Sequence, residues 1–181
     1  MTRVELSTRL SRRGVLKAGV ATGAVYIVLS GVPLVLGRGG AWAMELKAFT
    51  PAEGAALMRV TRDMFPHDNL PDAIYAAAIG PLDEEATKTP ATKSLVSAGI
   101  ADLNARAMKA GGKTFADTAE EYVRVGILRQ METSAFFQKV FGSTQTPVYN
   151  NRDAWPAFGF EGPSAPLGGY LHRGFNDLDW L

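Results

Sequence analysis

The chain of 181 residues has no cysteine. That excludes disulfides, thiolate metal sites, iron–sulfur clusters, a covalently attached c-type haem and cysteine nucleophiles. It does not assign a compartment, because a cysteine-free chain suits reducing and oxidising surroundings alike. Histidine is scarce, with two copies. Nucleophile elbows, P-loops and dinucleotide fingerprints are missing, and Gly111-Gly112 and Gly168-Gly169 are too isolated to cradle a phosphate. A basic stripe is missing as well. Six of the nineteen basic side chains (Arg3, Arg9, Arg12, Arg13, Lys17, Arg38) lie in residues 1–43 against one acid, Glu5. Residues 44–181 keep thirteen basic and seventeen acidic groups, a net of −4. Nucleic acid is therefore not an expected partner.

The basic excess has its own place. Ser11-Arg12-Arg13-Gly14-Val15-Leu16-Lys17 resembles a twin-arginine export motif, with Val15 where Phe is commoner. An uncharged stretch rich in Gly, Ala and Val follows from Ala18 to Gly37. Ala41-Trp42-Ala43 then fits the small-x-small rule of signal peptidase, which predicts Met44 as the first mature residue. The competing reading is a retained membrane anchor. Twenty uncharged residues at a rise of about 1.5 Å just match a hydrocarbon core of about 30 Å. The glycines, Pro33 and the cleavage site speak against it. The twin-arginine route carries folded cargo, so its use predicts a chain that folds, loads a cofactor or meets a partner before reaching the periplasm. With no cofactor motif in the chain, a partner is the economical reason.

Residues 44–145 read as a helical domain. Thr50-Pro51-Ala52-Glu53 carries a cap, a first-turn proline and a capping box, with Leu57, Val60 and Met64 on one face. Pro66 ends that helix and Asn69-Leu70-Pro71-Asp72 starts the next, with Ile74, Ala78 and Leu82 in a stripe beside Tyr75 and Ile79. Pro90 opens a third, carrying Val96, Ile100, Leu103 and Ala107, which Gly111-Gly112 stops. A fourth is expected to start near Phe115–Asp117. Val123, Ile127, Met131 and Ala135 form its main row, widened by Tyr122, Leu128 and Phe136, so it is expected to be central. That helix, or a successor, continues through Phe137, Val140 and Phe141 to Gly142. No internal repeat and no convincing strand is visible.

Residues 146–181 change character. Four prolines, five glycines and a run of large aromatics that includes Trp155, Phe158, Phe160, Tyr170, Phe175 and Trp180 follow no helical or strand period. So aromatic a segment is not of disordered composition, and a stretch this long is expected to be pinned to its own helices or to a partner. The fold class is all-α: a small bundle of four to five helices with an irregular Gly/Pro/aromatic-rich C-terminal tail.

Candidate chemistry is sparse. His67, in a turn, and His172, in the tail, could each act as a general base or ligand. The bland alternatives are a turn residue bonding nearby backbone for His67 and a structural or interface role for His172. Asp83-Glu84-Glu85 reads as a solvated helix face. Asp177 and Asp179 read as surface partners for Arg173 or for another chain's basic groups. No catalytic, metal or cofactor-binding residue is assigned.

Three stretches together resemble the gluconate 2-dehydrogenase subunit 3 family. They are the twin-arginine leader, the corner Met64-Phe65-Pro66-His67-Asp68-Asn69-Leu70-Pro71-Asp72-Ala73-Ile74-Tyr75, and the tail from Tyr149 through Trp155, Gly159–Ser164 and Gly168–Leu181. Phe160 stands where the family usually has Tyr. The resemblance implies a non-catalytic small subunit that accompanies an FAD-dependent dehydrogenase of the glucose–methanol–choline type, helps it mature and lends it the export signal. FAD would belong to the large subunit, a membrane-bound c-type cytochrome often takes the electrons, and the twin-arginine translocase is met in transit. Partner contact is then expected at Phe65, His67 and Pro71 in the corner and at Trp155, Tyr170, Arg173, Phe175 and Trp180 in the tail. Two alternatives stay open: an independent periplasmic enzyme using His67 or His172, and a membrane-anchored assembly protein that keeps its leader.

Overall fold

The first helix begins where local chemistry requires it. In a computed structural model, which describes residues 25–29, 32–36, 43–172 and 175, α1 spans Pro51–Met64. The Thr50 hydroxyl accepts from the Glu53 amide at 3.3 Å, and the Glu53 carboxylate accepts from the Thr50 amide at 2.8 Å. Both partners of the capping box are thus engaged, an arrangement worth about 1 kcal/mol. Pro66 allows no continuation, and Phe65 caps the C-terminus. Helix α2 (Asp72–Lys88) carries Ile74, Tyr75, Ala78, Ile79 and Leu82, all buried. Pro81 lies inside it, and both Pro81 and Ala77 are exposed, so water can satisfy the carbonyl that proline leaves without a donor. Helix α3 (Pro90–Gly111) buries Val96, Ile100, Leu103 and Ala107 and ends at Gly112, whose φ of 72° is left-handed.

The next two helices differ from expectation. Helix α4 spans Glu121–Gln130, starting later than Phe115–Asp117. The Thr114 hydroxyl bonds the Asp117 carboxylate at 2.6 Å and accepts from the Asp117 amide at 3.2 Å, a side-chain turn that competes with helix. Phe115 sits fully buried in the core, its amide donating to Asn104 at 3.0 Å. Tyr122 is 78% exposed and does not widen the apolar face, and Ala135 belongs to the next helix. That helix, α5, spans Ala135–Tyr149 with Ser134 as its cap. It runs past Gly142 and includes Pro147, so the expected boundary at residue 145 falls inside a helix. With ten residues, α4 is the shortest of the five. The central element is α2, which packs on α1, α3 and α5.

The five helices form an all-α bundle around two cores. The larger joins α1 to α5 through residues such as Leu57, Ile79, Leu103 and Val140. The smaller, with Phe65, Leu70, Ile74, Tyr75, Val148 and Ala154, lies under the proline corner and the start of the tail. Gly99 permits a close approach of α3 and α5, since a Cβ there would overlap the Phe136 ring.

Ahead of the bundle, Val25–Leu29, Val32–Leu36 and Ala43–Glu45 are β1, β2 and β3, an antiparallel sheet in that order. This corrects the expectation of no strand. β1 and β2 are dense in Val, which suits a pleated surface, and β2 pairs Leu29 with Val32 and Leu34 with Glu45 across its two neighbours. Among the described residues no helix is long and apolar enough to cross a membrane.

Asp83 also departs from its expected role. It is 3% exposed, and its carboxylate accepts from the amides of Lys47, Ala48 and Phe49 at 2.7, 3.0 and 3.1 Å. The acidic cluster therefore divides by face. Asp83 holds the segment entering α1, Glu84 pairs with Lys88 on the surface, and Glu85 binds Lys139 and Thr92.

Candidate functional site

The corner between α1 and α2 is tied by backbone and side-chain hydrogen bonds into a short loop. The His67 amide donates to the Phe65 carbonyl at 2.9 Å, and the Leu70 amide donates to the His67 carbonyl at 3.2 Å. The Tyr75 hydroxyl donates to the Phe65 carbonyl at 2.7 Å. Burial of Tyr75 disfavours the phenolate and raises its pKa. Arg62 lies 4.8 Å over the Tyr75 ring and donates to the Leu70 carbonyl at 2.8 Å.

This corner holds the tail. His67 Nε2 bonds the Tyr149 hydroxyl at 2.9 Å, a side-chain partner rather than the expected backbone one. The His67 ring packs edge-on against Tyr149 at 5.6 Å and Phe158 at 4.9 Å. Asn69 donates to the Ala157 carbonyl at 2.7 Å. The tail itself contains two short 3₁₀ turns, Trp155–Phe158 and Ala165–Leu167. Trp155 Nε1 donates to the Tyr149 carbonyl at 3.0 Å, and its ring meets Phe160 edge-on at 5.1 Å. Gly162, at φ 104°, packs under that indole; a Cβ would lie 3.2 Å from the ring, and the backbone conformation itself requires glycine.

The residues expected to meet a partner fall into three groups. Phe65 is 3% exposed and stacks on Phe141 at 5.2 Å, so it is core and offers no surface. Trp155 is half-buried and His67 partly buried, each organising the tail, while Pro71 is exposed. Tyr170 and Phe175 are open, at 56% and 78% exposure. Leu167, Leu171, Phe158 and Phe160 are exposed with them. The tail signal lay in its composition, but nothing in that composition separated Trp155, an anchor for the chain itself, from Phe175. Arg173 and Trp180 lie outside the described residues, as do Asp177, Asp179 and the export residues Ser11, Arg12, Arg13, Leu16, Lys17 and Ala41. Ala43 opens β3. His172 is exposed.

A second feature had no sequence signal. Beside the corner lies a polar cleft of about 190 Å³, between the end of α1 and the start of α4. Arg124 is 3% exposed in its wall. Its Nε and Nη2 grip both oxygens of Asp63 at 2.7 and 2.8 Å, and its Nη1 donates to the Thr118 and Ala119 carbonyls, both at 2.8 Å. Arg59 also lines the cleft, and its Nε is buried with no hydrogen-bond partner among the described residues. Burial and the neighbouring Arg124 cation lower the Arg59 pKa, yet a guanidinium stays protonated at neutral pH. Arg62, His67 and the exposed Asp68 and Glu121 complete the rim.

Among the described residues no three His, Asp or Glu side chains converge as a metal site. Compared with known proteins, the chain matches no family model, no curated protein and no solved structure.

Proposed function

We propose that this chain is a non-catalytic small subunit of the gluconate 2-dehydrogenase subunit 3 type, which binds an FAD-dependent sugar or alcohol dehydrogenase and accompanies it through the twin-arginine route to the periplasm. The observation that carries the reading is the concentration of exposed apolar side chains in one short segment: Phe158, Phe160, Leu167, Tyr170, Leu171 and Phe175. Exposed aromatic clusters of this kind mark protein interfaces, where a few large side chains supply most of the binding energy. The base of the segment is held against the bundle by His67, Asn69 and Trp155, so its first part reaches a partner already ordered. FAD resides in the large subunit, and a c-type cytochrome subunit is the electron acceptor in such a complex.

The test is co-purification. The chain, tagged and recovered from its own cells, should bring down a yellow protein of flavoprotein size. Deleting its gene should strand that protein in the cytoplasm, and changing Arg12-Arg13 to Lys-Lys should do the same. A colourless chain recovered alone, or normal flavoprotein export in its absence, overturns the reading.

A further inference from the structure

On the export reading proposed above, the leader is cut between Ala43 and Met44, and residues 18–37 are the apolar stretch that enters the membrane. Within that stretch, Val25–Leu29 and Val32–Leu36 pair as an antiparallel hairpin, with Leu29 opposite Val32. β2 then pairs with β3, which sets Leu36 opposite Ala43, Val35 opposite Met44 and Leu34 opposite Glu45. Both residues of the scissile bond therefore lie in a ladder whose other strand is the leader itself. Pro33, which has no amide to donate, falls outside that overlap, so it costs the β2–β3 pairing nothing. A lone two-stranded hairpin is marginal in water, but this one has support. β2 lies against α1 and β3 against α2. The chain leaving β3 is fastened as well: Leu46 and Phe49 are buried in the larger core, and the Asp83 carboxylate holds the Lys47, Ala48 and Phe49 amides.

This sheet is incompatible with membrane entry. Hydrocarbon does not tolerate unpaired backbone groups, so an open three-stranded sheet cannot enter it and the stretch must become helix. Cleavage meets the same obstacle. Although β3 is an edge strand, β2 closes its inner side and α2 lies against it, so an enzyme's groove cannot surround the bond until the strand lifts. We propose that the sheet is a lock on the leader. Residues 25–36 hold the Ala43–Met44 bond in strand form on the folded bundle, and the bond is cut only after they are drawn off into the membrane. Signal peptidase then hydrolyses it, water supplying the hydroxyl of the new Ala43 carboxyl group and a proton to the new Met44 amine. Insertion comes first and cutting second, so a chain that has not engaged the membrane keeps its leader.

The experiment is cleavage of the purified full chain by signal peptidase, followed by mass. Adjacent strand amides point to opposite neighbours, so Val35→Pro/Leu36→Pro removes a donor from the β2–β3 ladder whichever of the two faces β3. That variant should be cut after Ala43 about tenfold faster than the parent or more, because access is limited by local opening. Amide protection at Met44 and Glu45 should fall while α1 to α5 keep theirs. The lack of cysteine permits a reversible version that does not depend on the proline variant. Leu34→Cys/Glu45→Cys joins directly opposite positions, so it should form a disulfide that stops cleavage until it is reduced. Ile27→Cys/Glu45→Cys spans two strand spacings, about 9.6 Å, beyond the reach of about 7 Å, and should not close. Equal cleavage of parent and proline variant overturns the lock and leaves the export reading standing. No cleavage after Ala43 in any form, the opened variant included, overturns the export reading and the lock with it. A Leu34→Cys/Glu45→Cys chain that stays reduced under oxidant, or is cut equally fast oxidised and reduced, overturns the lock alone.

Discussion

Arg124 and Asp63 stand 61 residues apart in sequence and form a two-point ion pair, each almost fully buried, that fastens α4 to α1. Removing one partner leaves the other charge buried and uncompensated, which costs about 3–5 kcal/mol. Asp63→Ala should therefore lower the urea midpoint strongly, and Arg124→Met should do likewise. The double variant Asp63→Leu/Arg124→Met should recover much of the loss, because a buried ion pair exchanged for apolar packing is often neutral. A double variant additive in its losses would mean that the pair is not the source of either effect.

Gly99 and Phe136 set the distance between α3 and α5. A methyl at Gly99 would overlap the Phe136 ring. The helix-propensity gain of about 1 kcal/mol from Gly→Ala is thus opposed by an overpacking cost of about 1–3 kcal/mol or more. Gly99→Ala should destabilise, whereas Gly126→Ala, with nothing near its would-be Cβ, should stabilise. Phe136→Leu should relieve the Gly99→Ala penalty in equilibrium unfolding; equal penalties with Phe and Leu would place the clash elsewhere.

These relationships show which parts of the fold were legible. The capping box at Thr50, the stops at Pro66 and Gly112 and the buried rows of α1 to α3 were readable because each signal acts within a few residues of itself. Asp83, Arg124 and Gly99 were opaque because their partners are distant in sequence. Nothing in Asp83-Glu84-Glu85 tells which acid turns inward; the orientation of α2 against the segment before α1 decides it. The start of α4 was misplaced because Phe115 carries an apolar period while Thr114 and Asp117 close a turn around it. In the candidate site the tail was visible as composition, but the arginine cleft is assembled from helix ends and had no linear pattern.

Asp83 offers a graded test of that opacity. Its Oδ1 accepts from Ala48 and Phe49 and its Oδ2 from Lys47. Asparagine keeps one acceptor oxygen, and alanine keeps none. Hydrogen bonds to a charged group are worth about 1.5–3 kcal/mol each, so Asp83→Ala should cost more than Asp83→Asn. Amide exchange should quicken first at Lys47, Ala48 and Phe49. Protection unchanged at those amides would exclude the carboxylate as their anchor.

Acid should weaken the bundle through two glutamates. Hydrogen bonding and the charge of Lys139, with help from Thr92, hold the Glu85 carboxyl below its ordinary pKa of 4.5. At Glu53 burial opposes ionisation, but bonds from Ser97 and Thr50 and the charge of Lys93 outweigh it and the pKa again falls below 4.5. A carboxyl with a lowered folded-state pKa binds its proton less readily when folded. Its stabilisation is complete above 4.5 and is lost as pH falls through the folded value. Glu85→Gln and Glu53→Gln should each flatten the decline of Tm with acid, and in the Glu85 variant added salt should no longer lower Tm as much as in the parent. A slope identical to the parent's in both variants would assign acid sensitivity to other groups.

Stability and docking should separate cleanly within the aromatic set. Phe65 lies in the smaller core against Phe141, and Phe65→Ala should cost about 3–5 kcal/mol while its surface consequences follow only from that loss. Leu171 and Phe175 are 75% and 78% exposed, so Leu171→Ser and Phe175→Ser remove little buried area and should leave the unfolding free energy within about 0.5 kcal/mol of the parent. If these side chains are the partner's footholds, the same two changes should release a co-purified flavoprotein. Trp155→Ala tests the link between the two behaviours. It removes the indole that bonds the Tyr149 carbonyl and covers Gly162, so it should lower both Tm and partner retention. Full retention in Leu171→Ser/Phe175→Ser, with Trp155→Ala equally retentive, would move the interface off the tail and onto another face of the bundle.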